Sequence, residues 1–329
     1  MEPIAQNIIP RIRLASGRYI PSIGMGTFGS DKYSPDQVGS AVAGAIRCGY
    51  RLFDCASVYG NEDKIGRIFE TMIAAKVVTR EELFITSKVW NDMHGPGKVR
   101  QSLAKTLCDL RLSYIDAYFV HWPFPNYHAP GCDGDTRNPD SQPFSVEHFM
   151  SVWKQMEEAY HQGLIRHLGM SNMTISKLEA VLPHCTIQPE FIEMEQHPSF
   201  QQQALFDYVT GKNITVIGYC PIGSPNRPDR DKTPTDVADT ELPEVLTVAQ
   251  AHGIHSALVC IKWAVQRGSV PIPFSVNEKN YHSNLEAITG NHLTAQDMEL
   301  LKKAERNCRL VKGQVFLWPG AQSWEDLWD

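Results

Sequence analysis

Short apolar, β-branched stretches recur along this chain, and segments with helical spacing separate them. The stretches are PSIGMGTF, RLFDCA, LFITSKV, IDAYFVH, IRHLGMS, EFIEME, ITVIGYC and SVPIPFS. Their length and their polar or turn-forming borders predict buried strands. Ser34 precedes Pro35, an N-cap followed by a favoured first-turn proline, and Val38, Val42, Ala45 and Ile46 then mark one helical face. Val99, Leu103, Leu107 and Leu110 do the same in the third unit. In the fourth, Val146, Phe149, Val152, Trp153 and Met156 form a stripe that reads as core packing.

Strand then helix, repeated through the chain, predicts an all-parallel α/β protein. Eight such units, most of roughly thirty residues, fit a closed (β/α)8 TIM barrel better than an open sheet. Two connections run long, from Pro123 to Gln142 and from Pro221 to Thr240. Both follow a strand, so in a barrel they rise from the C-terminal face, where active sites sit. No linker or low-complexity tract intervenes, so residues 1–329 are read as a single domain.

With 42% hydrophobic residues the chain has ample material for a core. Its formal net charge is -6, with no long basic run, which argues against nucleic acid as a partner. The start, MEPIAQNIIPRIRL, lacks an apolar run of signal-peptide length. No stretch of about eighteen apolar residues predicts a membrane span. The eight cysteines are scattered without a C-x-x-C, as in reduced intracellular proteins. The expected location is therefore the cytoplasm, with no membrane partner. Closely spaced ligand pairs for a metal are absent.

Gly24-Met25-Gly26-Thr27-Phe28-Gly29 spells the dinucleotide pattern G-x-G-x-x-G. Its context fails, because Asp31, Tyr33, Ser34 and Pro35 intervene before helical periodicity begins. The better reading is a first barrel strand whose glycines let the backbone approach something bound above it.

The polar residues at the strand ends carry the chemistry. Asp54 closes the second strand, with Tyr59 five residues on, Lys88 closes the third and His121 the fourth. Ser171 and Asn172 follow at the fifth, Glu193 and Glu195 at the sixth and Tyr219 at the seventh. An Asp and a Lys at apolar strand ends are costly unless paired, and neighbouring strands allow Asp54 to meet Lys88. A buried lysine beside a tyrosine favours phenolate, so Tyr59 is expected to have a lowered pKa and to donate a proton near neutral pH. His121 can hydrogen-bond a substrate oxygen. Taken singly, each group has a plain structural reading: an ion pair, a core histidine, a loop tyrosine. Four compatible groups at one end of consecutive strands favour catalysis.

These residues resemble the aldo-keto reductases, from about Arg13 to about Cys308. DCASVYGNE is similar to the family's Asp and Tyr segment, ITSKVW to its lysine segment, FVHWP to its histidine segment, GMSN to the stretch that holds the cofactor carboxamide, and YCPIGSPNRP to the segment that stacks on the nicotinamide and covers the pyrophosphate. The resemblance implies an oxidoreductase that reduces an aldehyde or ketone with NAD(P)H. Tyr59 would be the proton donor, with Asp54, Lys88 and His121 beside it. It implies cofactor contacts at Gly26, Thr27, Phe28, Ser171, Asn172, Glu193, Tyr219, Pro221, Ile222, Ser224, Phe274, Ser275, Val276, Asn277, Asn280 and Asn284. Phe28, Trp90, Trp122 and Trp318 would line the substrate pocket, with Trp90, Trp122 and Phe28 otherwise only capping the barrel mouth. An N-terminal β-hairpin and a C-terminal loop over the barrel mouth complete the expectation. The tail's aromatic residues alternatively pack on the exterior or at a subunit interface.

Two departures from the family pattern stand out. Glu193 occupies a usual glutamine position, and a carboxylate there can accept from an amide but not donate. Phe274 and Asn280 stand where lysine and arginine usually grip the 2′-phosphate of NADP, which leans the cofactor toward NADH or dual use. The polar loop from Pro123 to Gln142 suggests a hydroxylated aldehyde such as an aldose. A monomer or homodimer is expected. Two other functions fit parts of the pattern. One is a non-enzymatic regulatory barrel, like a channel-associated β subunit. The other is a metal-dependent isomerase or hydrolase using His121, Glu195 and His197.

Overall fold

The computed structural model describes residues 1–29, 31–128, 138–225, 227–229 and 232–329. It opens on an antiparallel hairpin, β1 (Arg11–Arg13) and β2 (Tyr19–Pro21), with Ile12 opposite Ile20. Eight parallel strands follow: β3 (Met25–Gly26), β4 (Leu52–Asp54), β5 (Phe84–Val89), β6 (Ile115–Val120), β7 (Ile165–Ser171), β8 (Phe191–Glu195), β9 (Thr215–Tyr219) and β10 (Val270–Pro271). They lie side by side in chain order.

The cylinder is closed by backbone bonds between its first and last strands. Gly24 N donates to Pro271 O at 3.0 Å and Gly26 N to Pro273 O at 3.2 Å, while Ile272 N donates to Gly218 O at 3.1 Å on the other side. The prolines accept at this seam without having to donate, the role open to proline in a sheet.

Alternation along each strand sorts the side chains into two sets. Leu52, Phe84, Ala117, Phe119, Phe191, Ile217, Val270 and Ile272 share one cluster with Leu14 and Ile20 of the hairpin. That cluster fills the barrel interior, and the hairpin plugs its lower end. Phe53, Ile85, Tyr118, Leu168, Met170, Ile192 and Val216 face outward into the larger cluster shared with the helices.

The helices are α1 (Pro35–Cys48), α2 (Glu62–Ala74), α3 (Lys98–Leu110), α4 (Val146–His161), α5 (Ile175–Val181), α6 (Gln203–Thr210), α7 (Pro243–His252), α8 (Ser256–Arg267), α9 (Glu278–Ala287) and α10 (Ala295–Lys302). Ser34 caps α1 in a reciprocal box: its Oγ accepts from Gln37 N at 3.3 Å, and Gln37 Oε1 accepts from Ser34 N at 2.9 Å. The repeat departs from strict alternation after β9, where two helices precede β10. Val245, Val248, Trp263 and Leu301 give α7, α8 and α10 a small core of their own. Among the described residues no single helix is long and apolar enough to cross a membrane.

Gly26 of β3 and Gly24 just before it also serve the seam, a packing role that the sequence did not indicate. A Cβ on Gly26 would lie 2.9 Å from Ile272 O, and one on Gly24 would lie 2.2 Å from the Leu52 side chain. Backbone at the seam cannot swing aside as a flexible side chain can. Gly26→Ala is therefore expected to lower unfolding free energy by about 1–3 kcal/mol, measured by urea denaturation. An unchanged denaturation midpoint would show that the seam relaxes freely.

Candidate active site

At the mouth the inward-facing row turns from apolar to polar. Asp54 ends β4, and Lys88 comes from β5. Lys88 Nζ lies 2.6 Å from both Asp54 carboxylate oxygens and donates to Cys55 O at 3.1 Å. Thr86, two residues before Lys88 on the same face, donates to Asp54 Oδ1 at 2.6 Å. Glu193 of β8 brings a second carboxylate, its Oε1 3.3 Å from Lys88 Nζ. Tyr59, in the 3₁₀ turn Ser57–Tyr59, stands over this group with its ring centre 5.5 Å from Lys88 Nζ. Its ring meets His121 edge-on at 6.0 Å between centroids and Phe28 at 5.1 Å. The four groups read from the strand ends are thus brought together.

The electrostatics correct one expectation. Burial pushes the Tyr59 phenol up; Lys88 pulls it down, but Asp54 and Glu193 push it up again, and the net shift is upward. The ammonium does not lower the phenol overall, because burial outweighs it. Burial opposes the charge on Lys88, yet Asp54 and Glu193 outweigh burial and hold it protonated. His121 is driven well below its ordinary value by burial, then by Lys88 and His94, so it is a neutral imidazole. The site therefore presents a neutral phenol and a neutral imidazole beside a fixed ammonium. Such groups can hydrogen-bond an oxygen that gains negative charge and deliver a proton to it.

The adjoining side of the mouth is lined by Ser171, Asn172, Glu193 and Tyr219. Asn172 adopts a left-handed backbone, φ 58°, tolerable for Asn. Its Nδ2 donates to His121 O at 2.9 Å, and its Oδ1 accepts from Tyr219 OH at 2.7 Å. Ser171 Oγ, Glu193 Oε2 and His121 Nδ1 are buried and have no partner. Buried polar atoms in this state call for a ligand that supplies their bonds. A planar ring bearing a carboxamide fits these residues: it can use the orphaned Ser171 and Glu193 atoms while facing the ring of Tyr219. The next segment, Pro221, Ile222 and Ser224, is tightly turned, with positive φ at Cys220 (54°), Gly223 (72°) and Ser224 (36°). Strained backbone of this kind clusters at ligand sites, in the segment that the family resemblance also pointed to.

The remaining expected cofactor residues sit at two nearby strand ends. Gly26 is at the seam, and Thr27 is buried, its Oγ1 donating to Asp54 O at 2.8 Å and its own carbonyl accepting from Asn61 Nδ2 at 2.8 Å. Phe274, Ser275, Val276, Asn277 and Asn280 follow β10 into α9. Asn277 caps that helix by accepting from Lys279 N at 2.9 Å. Phe274 lays its ring against Tyr33 at 5.9 Å. Asn280 is exposed, its Nδ2 3.3 Å from Ser275 Oγ, and Asn284 is half-buried one turn further on.

The C-terminal tail folds over the rim. Trp122, Phe124, Val315, Phe316, Leu317 and Leu327 form one cluster there. Trp122, expected on the pocket wall, packs beneath the tail, 4.7 Å from Phe316 and 5.5 Å from Trp328 between ring centroids. Phe316 lies 5.8 Å from Trp90, whose ring meets His121 at 4.9 Å. Trp90, Phe28 and Trp318 stay half-buried. Phe316 is thus the tail residue that reaches the site, which periodicity could not single out. The polar loop behind the hydroxylated-substrate expectation includes 129–137, which lie outside the described residues.

A closed parallel barrel with this constellation at its C-terminal mouth defines a barrel oxidoreductase. The model of the Aldo/keto reductase family matches residues 22–306. An aldo/keto reductase of Synechocystis sp. is 38% identical over 322 residues, covering 96% of this chain and 95% of that protein. Aldo-keto reductase family 1 member A1-A of Danio rerio is 35% identical, covering 96% and 95%. A Bombyx mori aldo-keto reductase, solved in complex with NADP, superposes with a TM-score of 0.81 at 29% identity, covering 94% of this chain and 96% of that one. The chain belongs to the aldo/keto reductase family. It is an NAD(P)H-dependent oxidoreductase acting on small carbonyl compounds. These relationships do not support the non-enzymatic and metal-dependent alternatives.

Two residues of the metal reading, Glu195 and His197, are bonded to other protein groups. His197 lies 2.8 Å from Glu195 Oε1 through Nε2 and 2.8 Å from Asp239 Oδ2 through Nδ1, all three side chains fully buried. Glu195 also accepts from Leu310 N at 2.7 Å and Val311 N at 2.9 Å, tying the tail to β8, and Asp239 accepts from Ser199 N at 2.7 Å. Burial opposes charging His197, but Asp239 and Glu195 overcome it and raise the imidazole from 6.5 to about 9. Arg309 also faces Glu195. A folded-state pKa above the unfolded one stabilises fully below about 6.5 and loses that stabilisation as pH rises through about 9. The difference in unfolding free energy between the native protein and His197→Gln is expected to shrink over that window. A difference constant from pH 6 to 10, by chemical denaturation, would show that His197 carries no charge in the fold.

Proposed function

We propose that Tyr59 gives the proton in carbonyl reduction, with His121 orienting the carbonyl oxygen and the Lys88–Asp54 pair setting the field around the phenol. The observation that carries this is the Lys88 ammonium 5.5 Å from the Tyr59 ring centre, with the neutral His121 ring edge-on to Tyr59 at 6.0 Å. A bound reduced nicotinamide supplies the hydride to the carbonyl carbon. The carbonyl oxygen, gaining negative charge, takes the phenolic proton of Tyr59, and the product is the alcohol. Lys88 stabilises the phenolate left behind by charge alone, without giving up its own proton. His121, held neutral, is suited to hydrogen-bond the oxygen rather than to compete as an acid. Tyr59→Phe removes the proton donor and little volume. Carbonyl reduction is expected to fall at least about a hundredfold, with cofactor binding retained. Near-normal turnover in Tyr59→Phe would overturn the assignment.

The cofactor reading extends to NADH, used at least as well as NADPH. A 2′-phosphate carries nearly two negative charges and favours charge-assisted hydrogen bonds. Phe274 has no donor and packs on Tyr33, and Asn280 offers only a neutral amide beside Ser275. Lys279 is the exposed cation between them in sequence, and the N-terminus of α9 also attracts anions. Those features oppose the reading, and the measurement weighs them. Both reduced cofactors are titrated by quenching of protein fluorescence, then again with Phe274→Lys and Asn280→Arg combined. The double variant is expected to gain affinity for NADPH specifically. A native preference for NADPH of tenfold or more, about 1.4 kcal/mol, would refute the reading, as would a double variant without that gain.

A further inference from the structure

The buried centre holds one cation and two carboxylates. Lys88 is fully buried, and Asp54 and Glu193 are 1% and 3% exposed. With both acids ionised the centre carries an uncompensated negative charge away from water, a state that burial penalises strongly. The neighbouring groups do not offset it. His121 is neutral, and the phenols of Tyr59 and Tyr219 are both pushed upward by burial. Ser171 on β7 is uncharged.

One extra proton relieves the imbalance, and the contacts decide where it sits. Asp54 takes two 2.6 Å contacts from Lys88 and a third from Thr86. Glu193 meets Lys88 at only 3.3 Å, through Oε1, and lies against the Asp54 carboxylate, while its Oε2 is buried without a hydrogen-bond partner. The weakly held carboxylate protonates first. We propose that Glu193 is a neutral carboxylic acid at physiological pH, and that its ionisation in alkali shifts the site's preference from reduced to oxidised nicotinamide cofactor. The inference rests on the reading that the nicotinamide carboxamide lies against Ser171 and Glu193.

As an acid, Glu193 has an O–H donor and a C=O acceptor, the same complement as an amide, and it can match a carboxamide on both edges. Ionised, it only accepts, and it places a negative charge near the ring. The oxidised ring is a cation and the reduced ring is neutral, so ionisation favours the oxidised form. Burial and then Asp54 push Glu193 up to about 8, with Lys88 opposing, which puts the change in a measurable range. Lys88 keeps its proton throughout, so it does not titrate in the same window.

The native protein, Glu193→Gln and Ser171→Ala are each titrated with NADH, NAD+, NADPH and NADP+ by fluorescence quenching from pH 6.5 to 9.5. In the native protein the dissociation constant of each oxidised form, relative to its reduced partner, is expected to fall at least tenfold as pH passes about 8. In Glu193→Gln the ratio is expected to stay flat. A flat native ratio, or an unchanged fall in Glu193→Gln, overturns the proposal. Ser171→Ala separates the two levels of the argument. Weaker cofactor binding in that variant with a flat native ratio removes only the role of Glu193, whereas unaltered binding removes the nicotinamide placement itself. Infrared titration of the native protein without cofactor gives an independent readout: a buried carboxylic C=O band should disappear through the same pH range. Its absence at pH 6.5 would also overturn the proposal.

Discussion

Everything at the mouth of this barrel depends on closure of the sheet. Once Gly24 and Gly26 bond to Pro271 and Pro273, each strand has one row of side chains facing the axis and one facing the helices. The axial row cannot escape the interior. Its lower layers are apolar and sealed by Leu14 and Ile20 of the hairpin. Its upper layer is polar, so charges on separate strands converge within bonding distance. Asp54, Lys88 and Glu193 come from β4, β5 and β8, and only a closed cylinder brings the last of these across to the first two.

That convergence sets the chemistry through competition for a single ammonium. Lys88 is drawn to two acids, so its influence on Tyr59 is smaller than a lone lysine would exert, and burial keeps the phenol protonated. A protonated phenol is the form a reductase needs at the moment a carbonyl oxygen gains charge. The same buried environment holds His121 neutral. Electrostatic neutrality of the phenol and the imidazole thus follows from water exclusion, with Lys88 as the fixed charge.

The site's covering elements are fastened by a second buried charge cluster. Glu195 holds the tail through two backbone amides, and Asp239 faces His197 from the segment that follows β9. Lys312 of the tail reaches Thr233 at 2.7 Å and Asp236 at 3.1 Å, and Asp236 also pairs with Arg227. The tail and the β9 connection are therefore linked to each other as well as to the barrel. Phe316 and Trp122 pack at the rim where these elements meet.

The strands, the parallel barrel and the charged strand ends were legible in the sequence, because alternation and helical spacing are local properties that the chain carries residue by residue. Asp54, Lys88 and His121 could be read for the same reason, each standing at the end of an apolar run, with Tyr59 five residues after Asp54. Thr86, which donates to Asp54, was not singled out in the sequence. The direction of the Tyr59 shift was not legible, since it depends on how completely the folded barrel mouth buries the phenol. Neither was the purpose of Gly26, whose neighbour is a carbonyl of the last strand, nor the burial of Trp122 beneath a tail nearly two hundred residues later. Sequence determined which groups could do chemistry and on which row they stand. Distances between rows, and with them charge balance and burial, came only from closing the barrel, because Coulomb and packing energies depend on separation in space and not along the chain.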